Sequence, residues 1–161
     1  MKTGLDLVME AVDAWTEGCR KYNGALTVEL LKQAFAEEGI ATSGRDSYVR
    51  SLHIEWDLLV LRAGAKPAFN LLYEPSQVKV ALEVKLSGVV ADAIDITMRK
   101  FEVARAAGVK CCYVSFCGRR NGAATTEKLG FPCFNLTWYH GEKKPREDTG
   151  QWPMLVDFMR G

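Results

Sequence analysis

Charged side chains interrupt two otherwise apolar stretches of the chain, and they are the residues best suited to chemistry. Glu83 and Lys85 lie within the run VKVALEVKL, and Glu55 and Asp57 lie within IEWDLLVL. Residues two apart on a strand point to the same face, so each pair is expected to share a face of its strand. Because an unpaired buried charge costs several kcal/mol, two such pairs indicate a shared site. The alternative is a Glu83–Lys85 ion pair on a solvated strand end, cross-linked to the acids opposite.

This pattern resembles the PD-(D/E)xK nuclease superfamily, also called restriction-endonuclease-like. Asp57 matches the first acid of the motif, and Glu83-Val84-Lys85 matches the acid-x-Lys triplet. Trp56 stands where the motif is named for proline, which leaves the metal ligand intact. The resemblance covers most of the chain, because the order of predicted helices and strands is also similar. The 26-residue separation of Asp57 and Glu83 predicts an inserted hairpin or loop.

The resemblance implies a metal-dependent phosphodiester hydrolase that acts on DNA, with Asp57, Glu83 and Lys85 as catalytic residues. Asp57, Glu83 and the carbonyl of Val84 offer hard oxygen ligands that suit Mg²⁺ or Mn²⁺. The metal would polarise the scissile phosphate and lower the pKa of a bound water. Lys85 would orient that water or stabilise the developing charge on the phosphorane. Two alternatives stay open: a non-catalytic nucleic-acid or protein-binding module that keeps the fold, and an unrelated α/β domain with an incidental acid-x-Lys triplet.

Further side chains are candidates to complete this site. Glu55 is a candidate third carboxylate, and relatives that take an extra acid from their first helices point to Glu10 and Glu37. The candidates for phosphate binding, two before the first motif strand and two on the helix after the triplet, are Arg45, Arg50, Arg99 and Lys100. For the two helix acids a solvated helix face is the favoured interpretation, and the basic residues also fit exposed positions.

The elements that must position these residues begin with two predicted helices before the first motif strand. Apolar residues at helical spacing predict helices over 4–20, 27–38, 90–107 and 151–160. Residues 22–24, of sequence Tyr-Asn-Gly, are expected to break the first helix. Thr27 is the expected N-cap of the second helix, and Gly39 is its expected stop.

Apolar runs between these helices predict the strands of the fold. Strands are predicted over 54–61, 78–86, 109–117 and 134–139, and polar loops over 43–47, 118–122 and 141–150. Residues 69–73 fit a short strand or an apolar loop. The expected fold is a single α/β domain over residues 1–161, with a central mixed β-sheet flanked by helices and a restriction-endonuclease-like arrangement.

Length and composition limit the remaining possibilities. The chain has 161 residues, with 21 basic and 20 acidic side chains, so bulk positive charge does not hold it to nucleic acid. The odd number of cysteines and the lack of a secretory signal predict reduced thiols in the cytoplasm. No apolar stretch approaches the roughly 18 residues of a membrane helix. So small a chain is expected to need a homodimer or a partner for cleavage specificity.

Overall fold

The computed structural model describes residues 2–15, 19–87, 94–119, 130–139 and 147–161. Within these ranges the helices are α1 (Gly4–Asp13), α2 (Arg20–Glu37), α3 (Ile94–Ala106) and α4 (Gln151–Arg160). The strands are β1 (Ser47–Val49), β2 (Glu55–Trp56), β3 (Leu58–Leu61), β4 (Leu72–Tyr73), β5 (Val78–Ser87), β6 (Lys110–Arg119), β7 (Cys133–Tyr139) and β8 (Glu147–Asp148). A short 3₁₀ turn, Pro75–Gln77, leads into β5.

The strands form two sheets of different size. The larger sheet has the order β3-β5-β6-β7-β8, with β5, β6 and β7 parallel and both edge strands antiparallel to their neighbours. The smaller sheet has the order β2-β1-β4. Strand β5 lies between β3 and β6 because its valine, alanine and leucine side chains can be buried on both faces of a sheet. The expected mixed α/β fold with flanking helices is confirmed, and the smaller sheet adds to it.

The larger sheet separates two hydrophobic cores. The first core lies between the sheet and helices α1, α2 and α4, and it includes Leu82 and Phe35. The second core lies between the opposite face, α3 and the smaller sheet, and it includes Ala81, Trp56 and Phe101. Successive residues of β5 therefore enter different cores, as the alternation of side chains along a strand requires.

The first two helices differ from the sequence prediction. Helix α1 ends at Asp13 instead of reaching residue 20, and α2 begins at Arg20 and continues through the predicted break. Thr27 is not an N-cap, because it lies within α2 and its hydroxyl donates a 2.7 Å hydrogen bond to the carbonyl of Asn23. Gly39 has a φ of +72° directly after the helix end, which confirms it as the stop. The predicted start of the third helix, residues 90–93, lies outside the described residues.

The predicted strand over 54–61 is wrong in its continuity. The chain leaves the smaller sheet after Trp56 and enters the larger sheet at Leu58, so Asp57 lies between two strands. Trp56 packs in the second core and Leu58 in the first, although residues two apart on one continuous strand would share a face. Glu55 and Asp57 therefore do not share the face of one strand.

Two short strands occupy stretches predicted as loops. Strand β1 overlaps the predicted polar loop over 43–47, and β8 lies near the end of the predicted loop over 141–150. Residues 120–122 and 141–146 of the predicted loops lie outside the described residues. No helix in the described part of the chain is long and apolar enough to cross a bilayer.

Candidate active site

The two acids of the motif meet where β3 begins beside β5. Leu58 lies opposite Leu82 in this antiparallel pair, which brings the preceding residue, Asp57, beside Glu83. The backbone N–H of Val84 donates a 2.7 Å hydrogen bond to Oδ2 of Asp57. Because the chain is interrupted between β2 and β3, the Val84 N–H bonds to the carboxylate of Asp57 instead of to the backbone of a neighbouring strand.

Two lysines link these carboxylates in one ion network. Nζ of Lys85 lies 3.1 Å from Oδ2 of Asp57 and 2.5 Å from Oε1 of Glu83. Nζ of Lys100, on α3, lies 2.5 Å from Oε2 of Glu83. Because Oδ2 and Oε1 contact the same nitrogen, their separation cannot exceed the sum of its two contact distances. The structure thus brings together the three residues of the motif, and it adds a fourth that balances the charge.

Burial and charge shift the pKa values of the two acids in opposite directions. Burial and the neighbouring charge of Glu83 raise the pKa of Asp57 above its ordinary value, although Lys85 and the Val84 N–H oppose the shift. Burial also acts to raise the pKa of Glu83, but the ammonium groups of Lys100 and Lys85 outweigh it and lower that pKa. Of the two acids, Asp57 is therefore the one whose ionised form is disfavoured in this site.

The same balance decides the charge of Lys85. Burial alone would lower its pKa, but the carboxylates of Glu83 and Asp57 outweigh that effect and raise it. Lys85 is therefore a full positive charge at neutral pH. Its side chain keeps 45% of its surface exposed, so the ion network lies next to solvent on the side of Lys85.

Aromatic packing holds Lys100 against the motif. Its Nζ lies 4.5 Å from the ring centroid of Trp56, and Trp56 stacks on Phe101 with a centroid distance of 6.0 Å. Trp56 directly precedes Asp57, and Phe101 directly follows Lys100, so the buried stack ties α3 to the first acid. The sequence already offered Lys100 as a candidate for phosphate binding. The sequence does not show that its partner is Glu83.

Two hydroxyl groups on β6 extend the site along the sheet. Tyr113 is in register with Glu83, and Ser115 is in register with Lys85. Both residues are fully buried, and neither hydroxyl has a hydrogen-bond partner among the described residues. Burial raises the pKa of Tyr113, with a further contribution from the charge of Glu83, so the hydroxyl keeps its proton. The sequence offered no signal for these neighbours, because strand register depends on pairing between distant segments.

The three additional acid candidates lie away from this network. Glu55 accepts a 2.5 Å hydrogen bond from the hydroxyl of Tyr48 on the smaller sheet. Glu10 and Glu37 both contact Lys2, at 2.7 and 3.8 Å, on helices that cover the opposite face of the larger sheet. The structure therefore does not bring any of them to the Asp57–Glu83 pair, and Glu55 points elsewhere because its strand belongs to the other sheet.

The remaining basic candidates also have other surroundings. Arg45 pairs with the adjacent Asp46 at 2.9 Å, and Arg50 pairs with Glu74. Arg99 is exposed on α3, one residue before the lysine that contacts Glu83. Of the four candidates for phosphate binding, the structure brings only that lysine to a motif carboxylate.

The oxygen donors present fit a small divalent cation of the Mg²⁺ or Mn²⁺ type. Asp57 and Glu83 supply two carboxylates, and the carbonyl of Val84 faces the side of β5 to which its N–H donates. Within the described residues no three acidic, histidine or cysteine side chains cluster in a way that could hold a metal. This is compatible with Mg²⁺, which is usually held by one or two carboxylates together with water and substrate phosphate.

Comparison with known proteins identifies similar folds but assigns the chain to no family. No protein-family model matches the sequence, and no curated protein matches it. The chain is similar to E. coli MS115-1 NucC in its cAAA-bound form, with a TM-score of 0.63 and 11% identity over 98% of this chain and 85% of that one. For cAAA-bound P. aeruginosa ATCC27853 NucC the TM-score is 0.61, with 11% identity over 98% and 83% of the two chains.

A third similar structure is the apo form of E. coli MS115-1 NucC. Its TM-score is 0.55, with 13% identity over 94% of this chain and 86% of that one. Identities this low establish a likeness of fold alone. The chain has a mixed α/β, restriction-endonuclease-like fold similar to that of NucC.

Proposed function

We propose that this protein is a Mg²⁺- or Mn²⁺-dependent nuclease that hydrolyses phosphodiester bonds in DNA. The observation that carries the proposal is the position of Lys85, whose ammonium contacts both Asp57 and Glu83. The acid, the acid-x-Lys triplet and the restriction-endonuclease-like fold thus occur together, and the two carboxylates are mostly buried, at 25% and 12% exposure, instead of lying on a solvated strand end. The fold similarity to NucC supports the framework on which the motif was predicted.

Each residue of the motif has a distinct task in this proposal. Asp57, Glu83 and the carbonyl of Val84 would hold the divalent ion. When bound, such an ion polarises the scissile phosphate and lowers the pKa of a coordinated water. Lys85 keeps its proton and lies between the two acids, so its ammonium orients the attacking water or stabilises negative charge as it develops on the phosphate.

The substrate and assembly in this proposal are DNA and a homodimer. DNA is favoured over RNA through the motif resemblance, and a second copy of the chain would supply contacts that one small domain lacks. Arg99 is an exposed cation one residue from Lys100 on α3, so it is the best placed of the arginine candidates to meet a backbone phosphate. Arg45 and Arg50 would first have to leave Asp46 and Glu74.

Cleavage by a lysine variant is the direct test. Purified protein with Mn²⁺ is expected to nick or cut at least one member of a panel of single-stranded, duplex, branched and nicked DNA. Lys85→Ala should fold and cut about 10²–10³-fold more slowly, because it removes charge stabilisation without removing a metal ligand. Lys85→Arg should not restore the rate, since a planar guanidinium cannot replace a compact ammonium.

The matched control is another lysine of the same strand. The ammonium of Lys79 bonds to the carbonyl of Arg160, away from the acids, so Lys79→Ala should keep the wild-type rate. RNA in the same panel tests the preference for DNA. Equal trace cleavage by wild type and Lys85→Ala on every substrate would identify a contaminating nuclease, and the non-catalytic binding module would then replace the enzyme as the explanation of the fold.

A further inference from the structure

Both carboxylate oxygens of Glu83 are occupied by lysine ammonium groups. Oε1 contacts Lys85 and Oε2 contacts Lys100, each at 2.5 Å. We propose that Lys100 competes with the divalent cation for Glu83, so that this lysine keeps the resting site closed and sets its affinity for metal. The proposal rests on the proposed function, because it assumes that Glu83 is a metal ligand.

Lys100, more than Lys85, is built to hold this position. Lys85 is the more exposed lysine, at 45%, and shares its ammonium between Glu83 and Asp57. The side chain of Lys100 is 17% exposed and its ammonium lies over the ring of Trp56. A cation–π contact and a charge-assisted hydrogen bond to Glu83 therefore act on the same nitrogen, and both must be lost when it leaves.

The charge count explains why displacement is needed. Asp57 and Glu83 contribute two negative charges, and the two lysines contribute two positive charges, so the network is neutral without a metal. Attraction between the acids and an incoming cation is offset by repulsion from the nearby ammonium groups. Removing Lys100 leaves a net negative charge and a free oxygen on Glu83, while the catalytic Lys85 stays in place. Metal affinity should then rise.

The test is a Mn²⁺ titration in the absence of nucleic acid, measured by isothermal titration calorimetry. It compares wild type, Lys100→Met and Arg99→Met. Methionine keeps an apolar stem against Trp56, and pH 8 keeps Glu83 ionised after it loses a partner. Lys100→Met should bind Mn²⁺ at least about tenfold more tightly, because the charge-assisted hydrogen bond from Lys100 to Oε2 of Glu83 no longer has to be broken. Arg99→Met removes an exposed charge from the adjacent position, and it should change the Kd less than about twofold.

A second readout and further variants test the same competition independently. The rise in thermal midpoint on adding Mn²⁺ should be larger for Lys100→Met than for wild type, because tighter binding to the folded state adds more stability. Lys100→Gln serves the same purpose if the methionine variant does not fold. Adding Asp57→Ala to either variant should abolish the tight binding, which locates the ion at this site.

The outcomes separate this inference from the function on which it rests. If wild type binds Mn²⁺ through Asp57 but Lys100→Met binds equally or more weakly, the competition is overturned and the proposed metal site stands. If Lys100→Met and Arg99→Met tighten binding equally, a general effect of surface charge replaces the specific one. If neither wild type nor Lys100→Met binds Mn²⁺, or if binding survives Asp57→Ala, both the competition and the proposed metal site are overturned.

Discussion

The two faces of the larger sheet meet different requirements with residues of the same strand. On the first core, Leu82 and Val84 pack among apolar side chains from α1, α2 and α4. On the opposite face, Glu83 and Lys85 end the second core with an ion network. The charges are tolerated there because each carboxylate has an ammonium partner. The first face therefore contributes packing alone, while the opposite face both packs a second core and positions charged groups, and mutations should separate the two roles.

The largest expected effect on stability comes from a mutation in the first core that leaves the site unchanged. Phe35, on α2, is fully buried and stacks on Trp152 at a centroid distance of 5.7 Å. Phe35→Ala should lower the free energy of unfolding by about 3–5 kcal/mol, because it leaves a large cavity. Urea denaturation gives this value, and Mn²⁺ affinity should stay within about twofold of wild type while the variant is folded.

An exposed phenylalanine is the control for that comparison. Phe69 is 80% exposed, so Phe69→Ala should change the free energy of unfolding by no more than about 0.5 kcal/mol. A small effect of Phe35→Ala, similar to that of Phe69→Ala, would contradict the assignment of stability to the first core.

A smaller loss of stability is expected on the site face. Glu83→Gln removes the anion that two ammonium groups share, in a side chain that is 12% exposed. Because the site is only partly buried, we expect a loss of about 1–3 kcal/mol instead of the full cost of an isolated buried charge. Glu29→Gln is the matched surface control, since Glu29 pairs with Lys32 at 3.5 Å in solvent and should contribute less than about 0.5 kcal/mol. Equal losses would mean that the network contributes no more than a surface pair.

The pH dependence of stability gives the smallest and most specific difference. The pKa of Glu83 is lowered in the folded protein, so its stabilising contribution is complete above its ordinary pKa of 4.5 and is lost as the pH falls through the lower folded-state value. Between pH 7 and pH 3, wild type should therefore lose more stability than Glu83→Gln. Urea midpoints at several pH values measure this, and parallel curves for the two proteins would exclude Glu83 as a source of acid sensitivity.

Asp57 should act with the opposite sign in the same experiment. Its pKa is raised in the folded protein, so its ionisation opposes stability above the folded-state pKa, and protonation at lower pH relieves that cost. Asp57→Asn is accordingly expected to be as stable as wild type or slightly more stable at pH 7 without metal. Added Mn²⁺ should reverse this order, because only wild type would gain stability from binding.

Elements with a strong local pattern were predicted well. The apolar run of β5 and the helix at the C-terminus lie within a residue of their expected bounds, because each pattern contains its own periodicity. The Tyr-Asn-Gly segment misled the prediction because its residues are poor helix formers. Within α2 the segment stays helical since Asn23 is buried and its carbonyl accepts a hydrogen bond from the hydroxyl of Thr27. Tertiary burial outweighed intrinsic propensity there.

Residue type and local spacing drew attention to Glu55, Asp57, Glu83 and Lys85, because a charge within an apolar run is visible without a structure, and the family resemblance selected the last three. Their arrangement was decided by contacts between distant segments. Asp57 reaches the Val84 N–H because the chain changes sheets at that point, and Lys100 reaches Glu83 because the Trp56–Phe101 stack places α3 against the sheet. Periodicity is a property of neighbouring residues, whereas strand register and helix docking depend on which apolar faces are buried together. Only the folded chain therefore shows that Lys100, one of four basic candidates, pairs with Glu83.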